Sequence, residues 1–268
     1  MGLTAKILSR ERPRQYFDFL RNYSKGARLE SPPIFIVGCG HSGTSLLLKI
    51  LGVHSHIHAI PFESRAFLKS MWKIRMARLF WYKNAVAAGK RRWAEKTPAH
   101  VHAIGRILEI YPDARILLII RDGRDVAVSL RKRTGNFAAG VARWVRDNRA
   151  AEPYWNHPQV LRFTYEELVG DFGATMARIC EFIGEPYEEG MRNFHERPLD
   201  PSSPKTAGRP PSEAGRHHAQ LRKWQISQAL FNGSGKWQEG MSAEEKALFK
   251  QKAGQMLIDY GYAEDLNW

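Results

Sequence analysis

Cysteine is almost missing from this 268-residue chain, which has only Cys39 and Cys180. They lie too far apart to form a CxxC pair, so neither a disulfide framework nor a zinc site is indicated, and a reducing, cytoplasmic setting is expected. Long apolar runs are missing as well. No stretch is long enough to span a bilayer, and the first residues run into Arg10, Glu11, Arg12 and Arg14 without the apolar segment of a secretory signal. The expectation is a soluble chain with no transmembrane segment. Acidic residues are scarce: 27 Asp and Glu against 41 Lys and Arg leave a net charge of +14. A charge of that sign attracts phosphate-rich ligands, acidic polymers or anionic lipid surfaces without choosing among them. No helix-turn-helix, zinc-finger or RNA-binding signature accompanies it, so nucleic acid is not the expected partner. His54, His56 and His58 alternate as ligands on a strand can, but no cysteine pair or carboxylate cluster stands beside them in sequence, and no metal is expected.

What is present points to one α/β domain, expected over residues 31–265. Residues 1–30 read as a basic lead-in helix with an apolar face of Tyr16, Phe17, Phe19, Leu20 and Tyr23. That face suits packing on the domain surface or a peripheral contact with a membrane or partner. Ile34–Val37 is a short β-branched run between Pro33 and Gly38, the pattern of a buried strand. A glycine-rich turn and a helix over Leu46–Leu51 follow. Further strands are expected at Ala114–Ile120 and Val160–Phe163, with helices at Ala99–Ile110 and Tyr165–Val169. This alternation predicts a central parallel sheet of P-loop type flanked by helices. Residues 197–217, with Pro198, Pro201, Pro204, Pro210 and Pro211, read as a mobile loop inside the domain. Helices near Ala219–Leu230 and Ala243–Tyr260, with a loop at Asn232–Gly240, complete the chain. No internal repeat is visible, and no pattern speaks to oligomeric state.

The turn after the first strand reads Gly38-Cys39-Gly40-His41-Ser42-Gly43-Thr44-Ser45. Its glycines let main-chain amides of Gly40–Ser45 point inward as a nest for phosphate oxygens. The following helix start adds partial positive charge, and Ser42, Thr44 and Ser45 add hydroxyl donors. Compared with GxxxxGK[ST], Gly38, Gly43 and Ser45 match while Thr44 stands in the lysine position. An anion other than a triphosphate is implied. A second turn, Arg121-Asp122-Gly123-Arg124-Asp125-Val126-Ala127-Val128-Ser129, follows the second strand. Arg121 and Ser129 can fork onto one phosphate at a strand's C-terminal edge. Taken alone, this turn is equally consistent with an ordinary helix start capped by Asp122.

Together the two turns resemble the 3'-phosphoadenosine-5'-phosphosulfate (PAPS)-dependent sulfotransferase superfamily. Its 5'-phosphosulfate loop usually reads Gly-x-x-Arg/Lys-Ser-Gly-Thr-Ser/Thr, and its 3'-phosphate signature is Arg-Asp-x-Arg-x-x-x-x-Ser. The resemblance implies that Gly40–Ser45 hold the phosphosulfate and that Arg121 and Ser129 hold the 3'-phosphate. His41 departs from the usual Arg or Lys, and its charge varies with pH.

Other matches look most like tyrosylprotein sulfotransferases and their bacterial relatives. Glu63-Ser64-Arg65 is similar to their Glu-Thr-Arg, with one extra residue before it, which implies Glu63 as general base. An alcohol needs such a group because it is a poor nucleophile until its proton is removed. Glu95-Lys96-Thr97-Pro98 resembles a Lys-x-Pro element, implying that Lys96, with His41, steadies the leaving oxygen. Thr97 and Pro98 also read simply as N-cap and first residue of a helix. Ser234-Gly235-Lys236-Trp237 resembles a loop whose serine touches the phosphosulfate, and Lys236 would reach a cofactor phosphate. Tyr165 matches a tyrosine placed near adenine.

The implied reaction is in-line sulfuryl transfer from PAPS to an acceptor hydroxyl, releasing adenosine 3',5'-bisphosphate (PAP), with no metal. The acceptor stays open among carbohydrate, lipid-linked glycan, small metabolite and peptide tyrosine. Residues 66–92 and 130–158 and the Pro-rich loop are where acceptor recognition is expected, although Trp72, Trp81, Trp144 and Trp155 in them are by default core. Two rival readings remain: a P-loop kinase of a small metabolite, and a nonenzymatic polyanion binder driven by net charge.

Overall fold

The computed structural model describes residue 29, residues 31–196 and residues 232–268. The expected lead-in helix, the Pro-rich segment 197–217 and the helix near 219–230 lie outside the described residues.

Strand β1 (Ile34–Gly38) is buried along its whole length. Helix α1 (Thr44–Leu51) returns over the sheet and buries Leu47, Leu48, Ile50 and Leu51. A short β2 (Ile57–Ala59) leads through a 3-10 turn at Ala66–Leu68 into α2 (Met71–Ala87). Strand β3 (Arg92–Lys96) follows, then a 3-10 turn at Pro98–Ala103 and α3 (Ile104–Ile110). After β4 (Arg115–Ile120) come α4 (Gly123–Thr134) and α5 (Phe137–Arg149). Strand β5 (Val160–Thr164) precedes α6 (Tyr165–Gly170) and α7 (Phe172–Ile183). The described chain ends with the short α8 (Trp237–Gly240) and α9 (Ala243–Asp259).

All strand pairings are parallel, in the order β2-β3-β1-β4-β5. The α/β architecture expected from the alternation is therefore the one found. Residues alternate across β1. Ile34 and Ile36 join one core with α1 and α7, whereas Phe35 meets Phe67 and Trp93 edge-to-face, with centroids 5.2 and 5.3 Å apart. Burial on both sides is why β1 reads as an unbroken apolar run.

Three details differ from expectation. The helix expected at 99–110 begins as 3-10 before becoming α-helical at Ile104, and the loop expected at 232–240 closes as the helical turn α8. Strands β2 and β3 were not apparent in the apolar pattern. Strand β3 carries Arg92, Glu95 and Lys96, yet all five of its residues are buried. Arg92 donates to the Ile183 carbonyl at 2.5 Å and to Glu185 at 3.1 Å, so a charged side chain is accommodated where an apolar one is usual.

The chain leaves β1 for the far edge, returns to β3 on one side of β1, and then crosses to β4 on the other. Crossovers therefore diverge on either side of β1, and the crevice beyond its C-terminal end is a topological switch point, where open parallel sheets hold ligands. Gly38, Lys96 and Ile120 mark the ends of the strands around it.

Candidate functional site

The glycine turn at the head of β1 has an unusual backbone. Gly38, His41 and Gly43 all have positive φ, at 145, 75 and 94°. A β-carbon at Gly38 would lie 2.3 Å from the Ile119 carbonyl oxygen, and one at Gly43 would lie 2.7 Å from the Tyr165 ring. Glycine is required at both. Histidine tolerates the left-handed region better than β-branched residues do, which suits it to position 41. The amide of Ser42 is spent inside the loop, donating to the Cys39 carbonyl at 3.2 Å. No side chain caps the start of α1.

Arg121 leaves β4 at its C-terminal end and ties this turn to the C-terminal loop. Its Nη1 donates to the His41 carbonyl at 3.0 Å and its Nη2 to that of Gly233 at 2.7 Å, while the guanidinium lies 4.3 Å above the Tyr165 ring. Ser129, two turns along α4, shares a 2.8 Å hydrogen bond with Nδ1 of His41. The structure therefore brings the 38–45 turn, Arg121, Ser129, Tyr165 and the 233–234 segment into one place. Three buried polar atoms of these segments lack a hydrogen-bond partner among the described residues: Ser42 Oγ, Ser234 Oγ and Arg121 Nε. Such atoms are costly unless a ligand satisfies them.

Glu63 and Lys96 form a separate pair at the end of β3, with Nζ 2.6 Å from Oε1. Lys96 is buried and Glu63 about a third exposed. In the sheet Lys96 lies beside Ile36, two residues before Gly38. Lys236 is exposed at the start of α8.

Several residues that hold this geometry were missed in the sequence. Glu95 is fully buried. It accepts from Ser64 Oγ at 2.9 Å, Thr97 Oγ1 at 2.5 Å and His100 Nδ1 at 3.0 Å, fastening the Glu63 segment to the end of β3. Thr97 does lie at the N-cap with Pro98 behind it, but its hydroxyl donates to Glu95 rather than capping. Asp125 accepts from the Gly235 and Trp237 amides at 2.9 Å each and so pins the C-terminal loop. Burial raises its carboxyl above the usual range, although Arg121 opposes this.

Arg143 of α5 is the largest omission: a β-carbon at Gly40 would lie 2.7 Å from its Nη2. Buried Asp147 holds that guanidinium at 3.1 Å and also accepts from His102 and Arg146 at 2.9 Å. Burial alone would raise Asp147, but the bonds from His102, Arg146 and Arg143 outweigh it and hold the carboxyl below its usual range. No spacing in the sequence links Gly40 to Arg143; the contact is tertiary.

Some sequence readings resolve differently. Asp122 caps α4 as expected, accepting from the Arg124 amide at 2.8 Å. Arg124 bonds Asp122 and the Tyr262 carbonyl and lies over the Trp237 and Trp268 rings, so it fastens the C-terminal segment. Trp81 and Trp144 are fully buried, whereas Trp72 is half exposed. His54 and His56 do acquire a carboxylate, Glu185, with ligand atoms within 4.8 Å of one another. Both nitrogens of His54 are occupied, however, by the Pro186 carbonyl and the His56 amide at 3.0 Å each, and Glu185 is bonded to Arg92. The cluster thus acts as a strut between β2 and the segment after α7. Cys39 and Cys180 are buried and free, and burial pushes the Cys39 thiol up.

A parallel α/β sheet with a glycine turn at its switch point defines a class of nucleotide-binding proteins. Comparison with known proteins narrows it. A sulfotransferase family model matches residues 69–189. The sulfotransferase domain of the Synechococcus PCC 7002 olefin synthase superposes with a TM-score of 0.58 at 17% identity, covering 87% of this chain and 97% of that one. Mouse sulfotransferase SULT7A1, solved in complex with PAP, gives 0.57 at 17% identity, covering 88% and 90%. An uncharacterized protein of Aquifex aeolicus is 26% identical over 236 residues, 72% of this chain and 30% of that protein. Protein-tyrosine sulfotransferase A of Caenorhabditis elegans is 27% identical over 212 residues, 64% of this chain and 54% of that protein. The match thus spans about a third to a half of these curated relatives' lengths. The chain is therefore similar to sulfotransferases over residues 69–189 and shares the fold of solved sulfotransferase structures.

Proposed function

We propose that the chain transfers a sulfuryl group from PAPS to an acceptor hydroxyl. The observation that carries this reading is that Ser42 Oγ, Ser234 Oγ and Arg121 Nε, in segments that Arg121 ties together, are buried without a hydrogen-bond partner among the described residues. These donors, with the Gly40–Ser45 turn, suit a doubly phosphorylated nucleotide. In this reading Gly40, His41, Ser42, Gly43, Thr44, Ser45 and Ser234 hold the phosphosulfate, with Lys236 in reach of a phosphate. Arg121 and Ser129 hold the 3'-phosphate, and Tyr165 borders the adenine. That mouse SULT7A1 was solved with PAP supports the choice of nucleotide.

Glu63 takes the acceptor's proton as the acceptor oxygen bonds to sulfur. The bond from sulfur to the phosphate oxygen breaks, and its electron pair stays on that oxygen. Lys96 and His41 stabilise the charge that develops there, and Arg143 adds positive charge at the Gly40 edge. None of these steps needs a metal. The acceptor is a hydroxyl of a carbohydrate, lipid-linked glycan or small metabolite.

Calorimetry tests the reading against its rivals. PAP should bind without Mg²⁺ and ATP–Mg²⁺ should not, because Thr44 occupies the lysine position of a triphosphate loop. Arg121→Ala should weaken PAP by about tenfold or more, since a charge-assisted contact is lost together with the bonds that hold the His41 and Gly233 carbonyls in place. A polyanion binder would instead keep its affinity in Arg121→Ala and lose it steeply with salt. Unchanged PAP affinity in that variant would refute the 3'-phosphate assignment.

A further inference from the structure

Between Ser64 and Ala94 the chain carries nine Lys and Arg residues and no Asp or Glu. Within this stretch, the 3-10 turn at Ala66–Leu68 and the first turn of α2 form a tip that exposes large apolar side chains. Leu68 is 36% exposed, Met71 43% and Trp72 51%. Lys69, Lys73 and Arg75 are exposed around them. The tip is built rather than loose. Phe67 is buried against Phe35, with its amide donating to His100, and Arg106 Nη1 donates to the Phe67 and Lys69 carbonyls at 3.0 and 2.7 Å. A tip that exposes three apolar side chains, with exposed cations interleaved among them in the chain, suits something apolar beneath and anionic above.

We propose that this tip docks on an anionic phospholipid surface. The cations meet the headgroups, and Trp72, Met71 and Leu68 enter the boundary below them. A soluble polyanion would satisfy the lysines but leave the apolar side chains in water. An uncharged apolar partner would leave the lysines uncompensated. A surface that is negative outside and apolar beneath uses both. The tip begins three residues after Glu63, so docking brings the proposed base to the lipid boundary. Resting on the sulfotransferase reading, this narrows the acceptor to a hydroxyl borne by an amphiphile in that surface.

The experiment is vesicle flotation of the full chain with phosphatidylcholine alone and with added phosphatidylserine, beside heparin binding and PAP calorimetry on the same samples. The wild type should float with the phosphatidylserine vesicles and not with phosphatidylcholine. Lys69→Gln/Lys73→Gln/Arg75→Gln should weaken flotation by about a hundredfold, at roughly fivefold per charge. Leu68→Ser/Trp72→Ser should weaken it by about tenfold or more while heparin binding is kept. Flotation unchanged in both variants would overturn the proposal, as would heparin binding with no flotation, the sign of a polyanion partner. PAP affinity should be unchanged in all variants. Its absence in the wild type would refute the sulfotransferase reading and leave the docking result standing on its own.

Discussion

At the scale of single residues, the Glu63–Lys96 pair separates chemistry from binding. Glu63→Gln keeps an oxygen that can accept from Lys96 but cannot take up a proton. Turnover should therefore fall by about 10²–10⁴-fold, with PAP affinity nearly unchanged. Radiolabelled-donor kinetics beside calorimetry measure both, and normal turnover would place the base elsewhere. Arg143 allows a second test. Its guanidinium borders the same loop whose position 41 holds histidine instead of the arginine or lysine usual in the resembling family. Arg143→Gln should lower kcat/KM by about tenfold, the worth of one charge-assisted contact. Adding His41→Arg should recover much of that loss, because positive charge returns to the same phosphate loop. If the double variant is no better than Arg143→Gln alone, the two side chains do not share a task.

At the scale of elements, the joint between β1 and α1 matters most. Gly43 combines a φ of 94° with a hypothetical β-carbon 2.7 Å from Tyr165. Gly43→Ala should push Tyr165 away from Arg121, weaken PAP by tenfold or more, and cost roughly 1–3 kcal/mol of stability. Calorimetry and thermal melting would show both effects; a stable variant with intact affinity would mean that the turn adapts. This joint was legible because its signals are local: an apolar run, three glycines and a helix pattern in sequence. The continuous Ile116–Ile120 run made β4 legible for the same reason. Strand β3 was not legible, because Arg92 and Lys96 are matched by Glu185 and Glu63 from segments distant in sequence, and Glu95 by Ser64, Thr97 and His100 once the chain has folded. The clamps made by Glu95, Asp125 and Asp147 escaped notice likewise. A buried carboxylate declares its role through partners that folding supplies, and sequence spacing does not contain them.

At the scale of the whole molecule, charge governs the response to acid. With a net charge of +14 at neutral pH, protonating carboxylates adds self-repulsion throughout the chain. Two buried carboxylates add a specific effect. The bonds from His102, Arg146 and Arg143 hold Asp147 below its usual range against the opposing effect of burial, and those from His56 and Arg92 do the same for Glu185. A carboxyl depressed in the folded state contributes stability above its unfolded pKa, near 4, and that contribution is lost as pH falls through the lower folded value. The melting temperature should therefore hold down to about pH 5 and drop steeply below about pH 4. Asp147→Asn separates the specific from the general. It should cost roughly 2–3 kcal/mol at pH 7, toward or below the low end for a broken buried pair because its cationic partners reach solvent. The gap to wild type should then narrow as pH falls, since the wild-type side chain becomes neutral too. A gap that stays constant from pH 7 to pH 3 would show that Asp147 contributes by shape alone, and that its charge does not hold Arg143 against the phosphate turn.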